Sequence, residues 1–104
     1  MNIQDTIKQQ ISDNTIILYM KGNAELPMCG FSARAVNILK SCQAQFATID
    51  VLQDEAIRNG IKVYSNWPTI PQLYVKGEFI GGSDIMAEMF EAGELQTLIK
   101  DVQG

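Results

Sequence analysis

The sequence predicts an α/β domain built on a four-stranded mixed sheet flanked by helices on both faces. Three observations carry the prediction. Two short runs rich in β-formers bracket an amphipathic segment in the first half, which is the pattern of a strand–helix–strand unit. In the second half, "QLYV" and "FIG" lie either side of "KGE", which is the pattern of a hairpin. Segments with helical spacing of apolar residues precede, separate and follow these strands.

The elements are read in chain order. Ile3, Ile7 and Ile11 recur at four-residue spacing and predict a short amphipathic helix to Asp13. "TIILYM", Thr15 to Met20, follows an Asp-Asn break and reads as a buried strand. "KGNAELPM", with Gly22 and Pro27, is a loop. From Gly30 to about Cys42, Phe31, Ala35, Val36, Ile38 and Leu39 give a helix one apolar side. "FATIDV", Phe46 to Val51, alternates and reads as a second strand. Asp54 is placed to cap a helix reaching about Tyr64. "WPTIP" is a rigid loop, and the hairpin follows it. Ser83 opens a helix to about Phe90, and a last helix runs from Glu94 to about Val102. The "MFEAGEL" stretch joins these two helices at Gly93 and receives no chemistry.

The chain of 104 residues, 46% hydrophobic, is read as one domain over 1–104. Its net charge of −4 argues against a nucleic-acid protein held by general basicity. No apolar run reaches the length that spans a bilayer. The start, "MNIQDTIKQQ", lacks the basic and apolar blocks of a signal peptide, so a cytoplasmic location is expected. The absence of histidine excludes Cys–His catalysis, a histidine base and histidine metal ligation. Two cysteines are too few for a disulfide scaffold or a self-contained zinc site.

Cys29 is the candidate nucleophile. It lies where the first strand's loop meets a helix N-terminus, at the strand end where open α/β sheets place their sites. Unpaired backbone N–H groups and the positive end of the helix dipole favour thiolate there, so its pKa is expected below the free value. Lys21 can add positive charge. The alternative is a small buried hydrophobe; the loop position, with Gly30 beside it, favours function. Cys42 sits at the other end of the same helix, ~20 Å away, far beyond the ~7 Å that a disulfide spans. It reads as a core residue, which leaves Cys29 without a partner on its own chain. Two uses remain open: exchange with an external thiol such as glutathione, or ligation of a cluster shared between chains.

"CGFS" at Cys29 to Ser32, "WPTIPQLYVKGEFIGGSD" at Trp67 to Asp84, and Lys21 before a long loop together resemble a monothiol glutaredoxin of the CGFS class, most closely the short single-domain bacterial type. The resemblance covers nearly the whole chain and implies a thioredoxin-like fold. It makes Cys29 both the catalytic thiol and the ligand of a [2Fe-2S] cluster. Lys21 resembles the lysine that contacts glutathione, and Arg58 the arginine that meets its glycine carboxylate. Ile70 precedes Pro71, the family's cis proline, and its backbone is implied to pair with the cysteinyl part of glutathione. Ser83 and Asp84 resemble the pair that holds the γ-glutamyl end. These roles suit the chemistry, since glutathione carries two carboxylates and one ammonium. Arginine grips a carboxylate through two donors, helix N-termini offer N–H groups to carboxylates, and Asp84 can face the ammonium. Taken singly, Ser83 and Asp84 would merely cap a helix and the cations would be solvated.

A [2Fe-2S] cluster takes four thiolates. Two chains and two bound glutathiones supply them, so the lone cysteine of "CGFS" fits a cluster-bridged homodimer. Three functions stay open. The first is an iron–sulfur carrier serving cluster assembly and iron homeostasis, with a BolA-type protein and iron–sulfur acceptor proteins as implied partners. The second is a glutathione-dependent oxidoreductase acting on protein thiols, against which the long "GNAELPM" loop argues, because redox-active dithiol relatives have a much shorter link there. The third is a regulatory module acting only through heterodimers. Trp67, beside Pro68 in a loop, leans to the surface; Phe31 divides evenly between core and surface.

Overall fold

The computed structural model describes residues 2–103. At the centre of its sheet is β1 (Ile16–Met20), buried along its whole length, as a strand covered on both faces must be. It pairs in parallel with β2 (Ala47–Asp50) and antiparallel with β3 (Gln72–Val75); β3 pairs antiparallel with β4 (Glu78–Gly81). The strand order is β2-β1-β3-β4. The helices are α1 (Ile3–Asp13), α2 (Gly30–Ser41), α3 (Glu55–Ser65), α4 (Ser83–Glu91) and α5 (Glu94–Gln103). The element order is the one expected from periodicity.

Alternation along β1 divides the core in two. Ile16, Leu18 and Met20, with Leu73 and Val75 of β3, meet Val36, Leu39, Met86, Leu95 and Ile99 from α2, α4 and α5. Ile17 and Tyr19, with Tyr74, meet Ile7, Ile11, Ile57 and Ile61 from α1 and α3. The two-residue period of the strand thus feeds two helical layers, one on each face. Asn2 caps α1 and Asp54 caps α3, each through its side chain.

Strand ends differ from the sequence reading: β1 starts at Ile16 rather than Thr15, β2 spans Ala47–Asp50 rather than Phe46–Val51, and the hairpin is tighter. "KGE" is not the hairpin turn, because Glu78 already pairs with Val75 in β4. The turn is Lys76–Gly77 alone, with φ of 51° and 82°. A two-residue turn with both residues left-handed follows the natural twist of the strands, so pairing resumes immediately after Gly77. Among the described residues no helix is long and apolar enough to cross a membrane.

Candidate functional site

Cys29 is the N-cap of α2. Its extended backbone, φ −154° and ψ 155°, turns Sγ back over the first turn of the helix, where it accepts the Ser32 N–H at 3.4 Å. Ser32 fills the position where a dithiol enzyme has its second sulfur, and it is fully buried. Its Oγ accepts the Lys21 N–H at 3.1 Å and lies 3.5 Å from Cys29 Sγ. With that lone pair occupied, the hydroxyl hydrogen is free to face sulfur once the thiol ionises. The serine therefore joins the end of β1 to the reactive sulfur.

Partial burial works against the Cys29 thiolate, but the Ser32 hydroxyl, the Ser32 and Phe31 N–H groups and the Lys21 charge outweigh it, and the pKa falls below the ordinary thiol value. Cys42 is the C-cap at the opposite end of α2, and burial pushes its thiol up. Both cysteines are free. Iodoacetamide near neutral pH is therefore expected to label Cys29 well before Cys42. Ser32→Ala removes a donor to the thiolate, so the rise of Cys29 labelling moves to higher pH and its neutral rate drops severalfold. Cys42, labelled in the same tube and read by mass spectrometry, stays unchanged. An unmoved Cys29 profile would take Ser32 out of this account.

The loop before Cys29 is held closed by its own backbone. Met28 N–H donates to the Lys21 carbonyl at 2.8 Å, and Asn23 N–H to that of Leu26 at 3.2 Å. Asn23 Oδ1 accepts the N–H groups of Glu25 and Leu26, an Asx turn. Asp50, at the end of β2, accepts the Gly22 N–H at 2.9 Å and so ties the loop to the sheet. Gly22 itself has φ +87°.

Beside α2 lies a cleft of about 260 Å³ lined by Phe31, Trp67, Thr69, Ile70, Pro71 and the Gly82–Ile85 segment. The Ile70–Pro71 peptide is cis, as the resemblance implies. Among the described residues, neither the N–H nor the C=O of Ile70 has a hydrogen-bond partner. Gly82 is the N-cap of α4 and supplies no side-chain cap, and among the described residues the N–H groups of Ser83 and Asp84, two residues that line the cleft, have no hydrogen-bond partner. Phe31 is 62% exposed and Trp67 42% exposed, which places both at the surface.

The structure brings Ile70, Ser83 and Asp84 together in this cleft and joins Lys21 to Cys29 through Ser32. It does not join Arg58 to them: among the described residues that side chain, on α3, has no hydrogen bond or ion pair to the other candidates. Sequence reasoning missed Arg34. Its Nη1 lies 3.1 Å from Asp84 Oδ1, linking α2 to the first turn of α4. Nothing in the local pattern marks a pair so far apart in sequence.

A four-stranded mixed sheet with a helix-capping thiol and a cis-proline loop defines a thioredoxin-like protein. Within that class the chain belongs to the glutaredoxin family, whose profile, described as Glutaredoxin, matches residues 16–80. It is 55% identical over 102 residues to a protein named Glutaredoxin 4 from Pasteurella multocida, covering 98% of this chain and 94% of that one. The solution structure of reduced poplar apo GrxS14 superposes with a TM-score of 0.84 at 42% identity, covering 97% of this chain and 93% of that one. A buckwheat glutaredoxin, solved as its glutathione complex, shares the fold at a TM-score of 0.86 and 21% identity, over 97% of this chain and 90% of that one.

Proposed function

We propose that this chain is a monothiol glutaredoxin of the CGFS class that binds glutathione and carries a [2Fe-2S] cluster between two copies. The observation that carries the reading is Ser32. It is buried and committed to Lys21 and Cys29, and the only other cysteine lies at the far end of α2. Cys29 therefore has no resolving thiol in reach, and whatever completes its chemistry comes from outside the chain. Among the described residues no three His, Cys, Asp or Glu side chains gather as a metal site.

The residues present fit such a shared cargo. Cys29 offers a sulfur biased towards thiolate, the form that ligates iron. Exposed Leu26, Met28 and Phe31 flank it in sequence, and exposed Trp67 and Ile85 line the adjoining cleft. Apolar surface beside one partly exposed sulfur suits a second copy or a BolA-type partner. Glutathione is the second component. Ile70 has the free N–H and C=O of a strand edge, the α4 N-terminus suits the γ-glutamyl carboxylate, and Asp84 suits the ammonium. Lys21 supplies positive charge for the remaining carboxylate, and Arg58 is the second cation that the resemblance assigns to it. Loosely held external ligands favour handing the cluster to acceptor proteins in cluster assembly and iron homeostasis, in the reducing cytoplasm.

The lowered Cys29 pKa favours a second reading, glutathione-dependent thiol exchange at a modest rate. Anaerobic reconstitution with iron and sulfide, with and without glutathione, separates them. A coloured dimer that requires glutathione is expected. A colourless monomer under every condition would remove the carrier reading and leave exchange.

A further inference from the structure

Gln72 is fully buried at the start of β3, in a strand otherwise made of apolar and aromatic residues. Burying a primary amide costs several hydrogen bonds with water unless each is replaced. Here each polar atom is used. Nε2 donates one hydrogen to the Trp67 carbonyl at 3.1 Å and the other to the Thr69 carbonyl at 3.1 Å. Oε1 accepts the Tyr74 hydroxyl at 3.1 Å. The orientation is unambiguous, since only the nitrogen can serve two carbonyls and only the oxygen can serve a phenol.

The placement of those carbonyls matters. Trp67, Thr69, Ile70 and Pro71 all line the cleft. The loop that carries them has no regular ladder of its own, and Ile70, the residue after the second clamped carbonyl, makes no backbone hydrogen bond among the described residues. The amide thus grips the loop from behind at two points. Tyr74 in turn packs against Tyr19, Tyr64 and Phe79, and the Phe79 ring lies 6.1 Å from that of Trp67. A rigid aromatic cluster anchors the amide, and the amide anchors the loop.

We infer that Gln72 is the positioning residue of the ligand cleft: by fixing the Trp67 and Thr69 carbonyls it holds the unpaired Ile70 edge ready for an extended peptide ligand. The inference rests on the glutathione reading above and adds a residue to it. A preset edge binds without an ordering cost, whereas a loosened loop must be ordered by the ligand itself.

The test uses the full chain and its single tryptophan, Trp67, which lies in the clamped loop. Gln72→Met keeps the size and removes both donors. Ile99→Val trims a buried side chain of the opposite core layer, away from the cleft and the amide, and so serves as the control for stability. Glutathione affinity by calorimetry, acrylamide quenching of Trp67 and the rate of Cys29 alkylation by iodoacetamide are measured on all three proteins. Gln72→Met is expected to weaken glutathione binding about tenfold and to raise Trp67 quenching, while Cys29 alkylation holds. Ile99→Val is expected to bind glutathione within about twofold of the starting protein. If Gln72→Met lowers only the melting temperature, with binding and quenching unchanged, Gln72 is a packing residue and the inference is overturned. Should Gln72→Met fail to fold, Gln72→Asn, whose shorter amide cannot reach both carbonyls, takes its place under the same criteria. Should the unaltered chain bind no glutathione while quenching still separates the two variants, the glutathione reading fails and the clamp stands.

Discussion

Cys29→Ser is expected to abolish both glutathione-coupled thiol exchange and loading with a [2Fe-2S] cluster, each by at least ~1,000-fold. The substitution is clean because serine is itself a good N-cap. Its hydroxyl can accept the Ser32 N–H that Cys29 Sγ now accepts, so α2 keeps its first turn. Urea unfolding should move by less than about 1 kcal/mol, and the loss of activity is then chemical rather than structural. Turnover of a glutathione mixed disulfide and visible absorbance after reconstitution are the two readouts. A variant that still takes up colour would show that other groups hold the cluster, and Cys29 would lose its place at the centre of the site.

The second large effect is on the scaffold. Gly22→Ala should destabilise the fold by about 2–4 kcal/mol. Two costs combine. The backbone at Gly22 has φ +87°, a conformation that only glycine adopts freely. A methyl group there would fall on the Leu26 carbonyl oxygen and 2.7 Å from the Met28 nitrogen. These are backbone atoms, so no side chain can swing aside. The loop would open, and the Met28 N–H bond to Lys21 would break. Cys29 follows Met28 directly, so its alkylation should slow as well. Chemical unfolding and the alkylation rate test both parts; an unchanged midpoint would mean that the loop relaxes at no cost and is not a rigid part of the site.

The layered fold was legible because its signals are local. The four-residue recurrence of Ile3, Ile7 and Ile11 needs no partner to be recognised, and these isoleucines are the ones that face α3. The β1 run announces a strand buried on both sides. Glu78 is misleading in the sequence because it is polar and follows a turn, whereas the left-handed Lys76–Gly77 pair completes that turn and Glu78 already pairs with Val75. Cys29 was legible through its place before a helix. The cleft was not legible in the residue pattern, because Ile70, Ser83 and Asp84 converge only when β3 and β4 set the cis-proline loop beside α4; the family resemblance supplied them. Arg34 and Gln72 escaped notice for different reasons. The Arg34–Asp84 pair is long-range and lies at the surface. Gln72 did leave a trace, one polar residue in an apolar strand, but its meaning lay in carbonyls whose positions depend on the folded loop.

The capping role of Cys29 bears on which way disulfide exchange runs. As a thiolate, the sulfur accepts the Ser32 N–H and lies near Lys21; in a mixed disulfide it carries no charge and accepts those donors weakly. The fold therefore favours the sulfur as an anion over the same sulfur bonded to another thiol. A sulfur so favoured is a good leaving group, so an adduct at Cys29 is spring-loaded towards release. When an external thiolate attacks the partner's sulfur, the departing electron pair arrives on an atom that the helix is already built to receive. With no second cysteine in reach to finish the job internally, that bias makes the attachment temporary, and the chain returns to its free thiolate whenever a competing thiol is abundant.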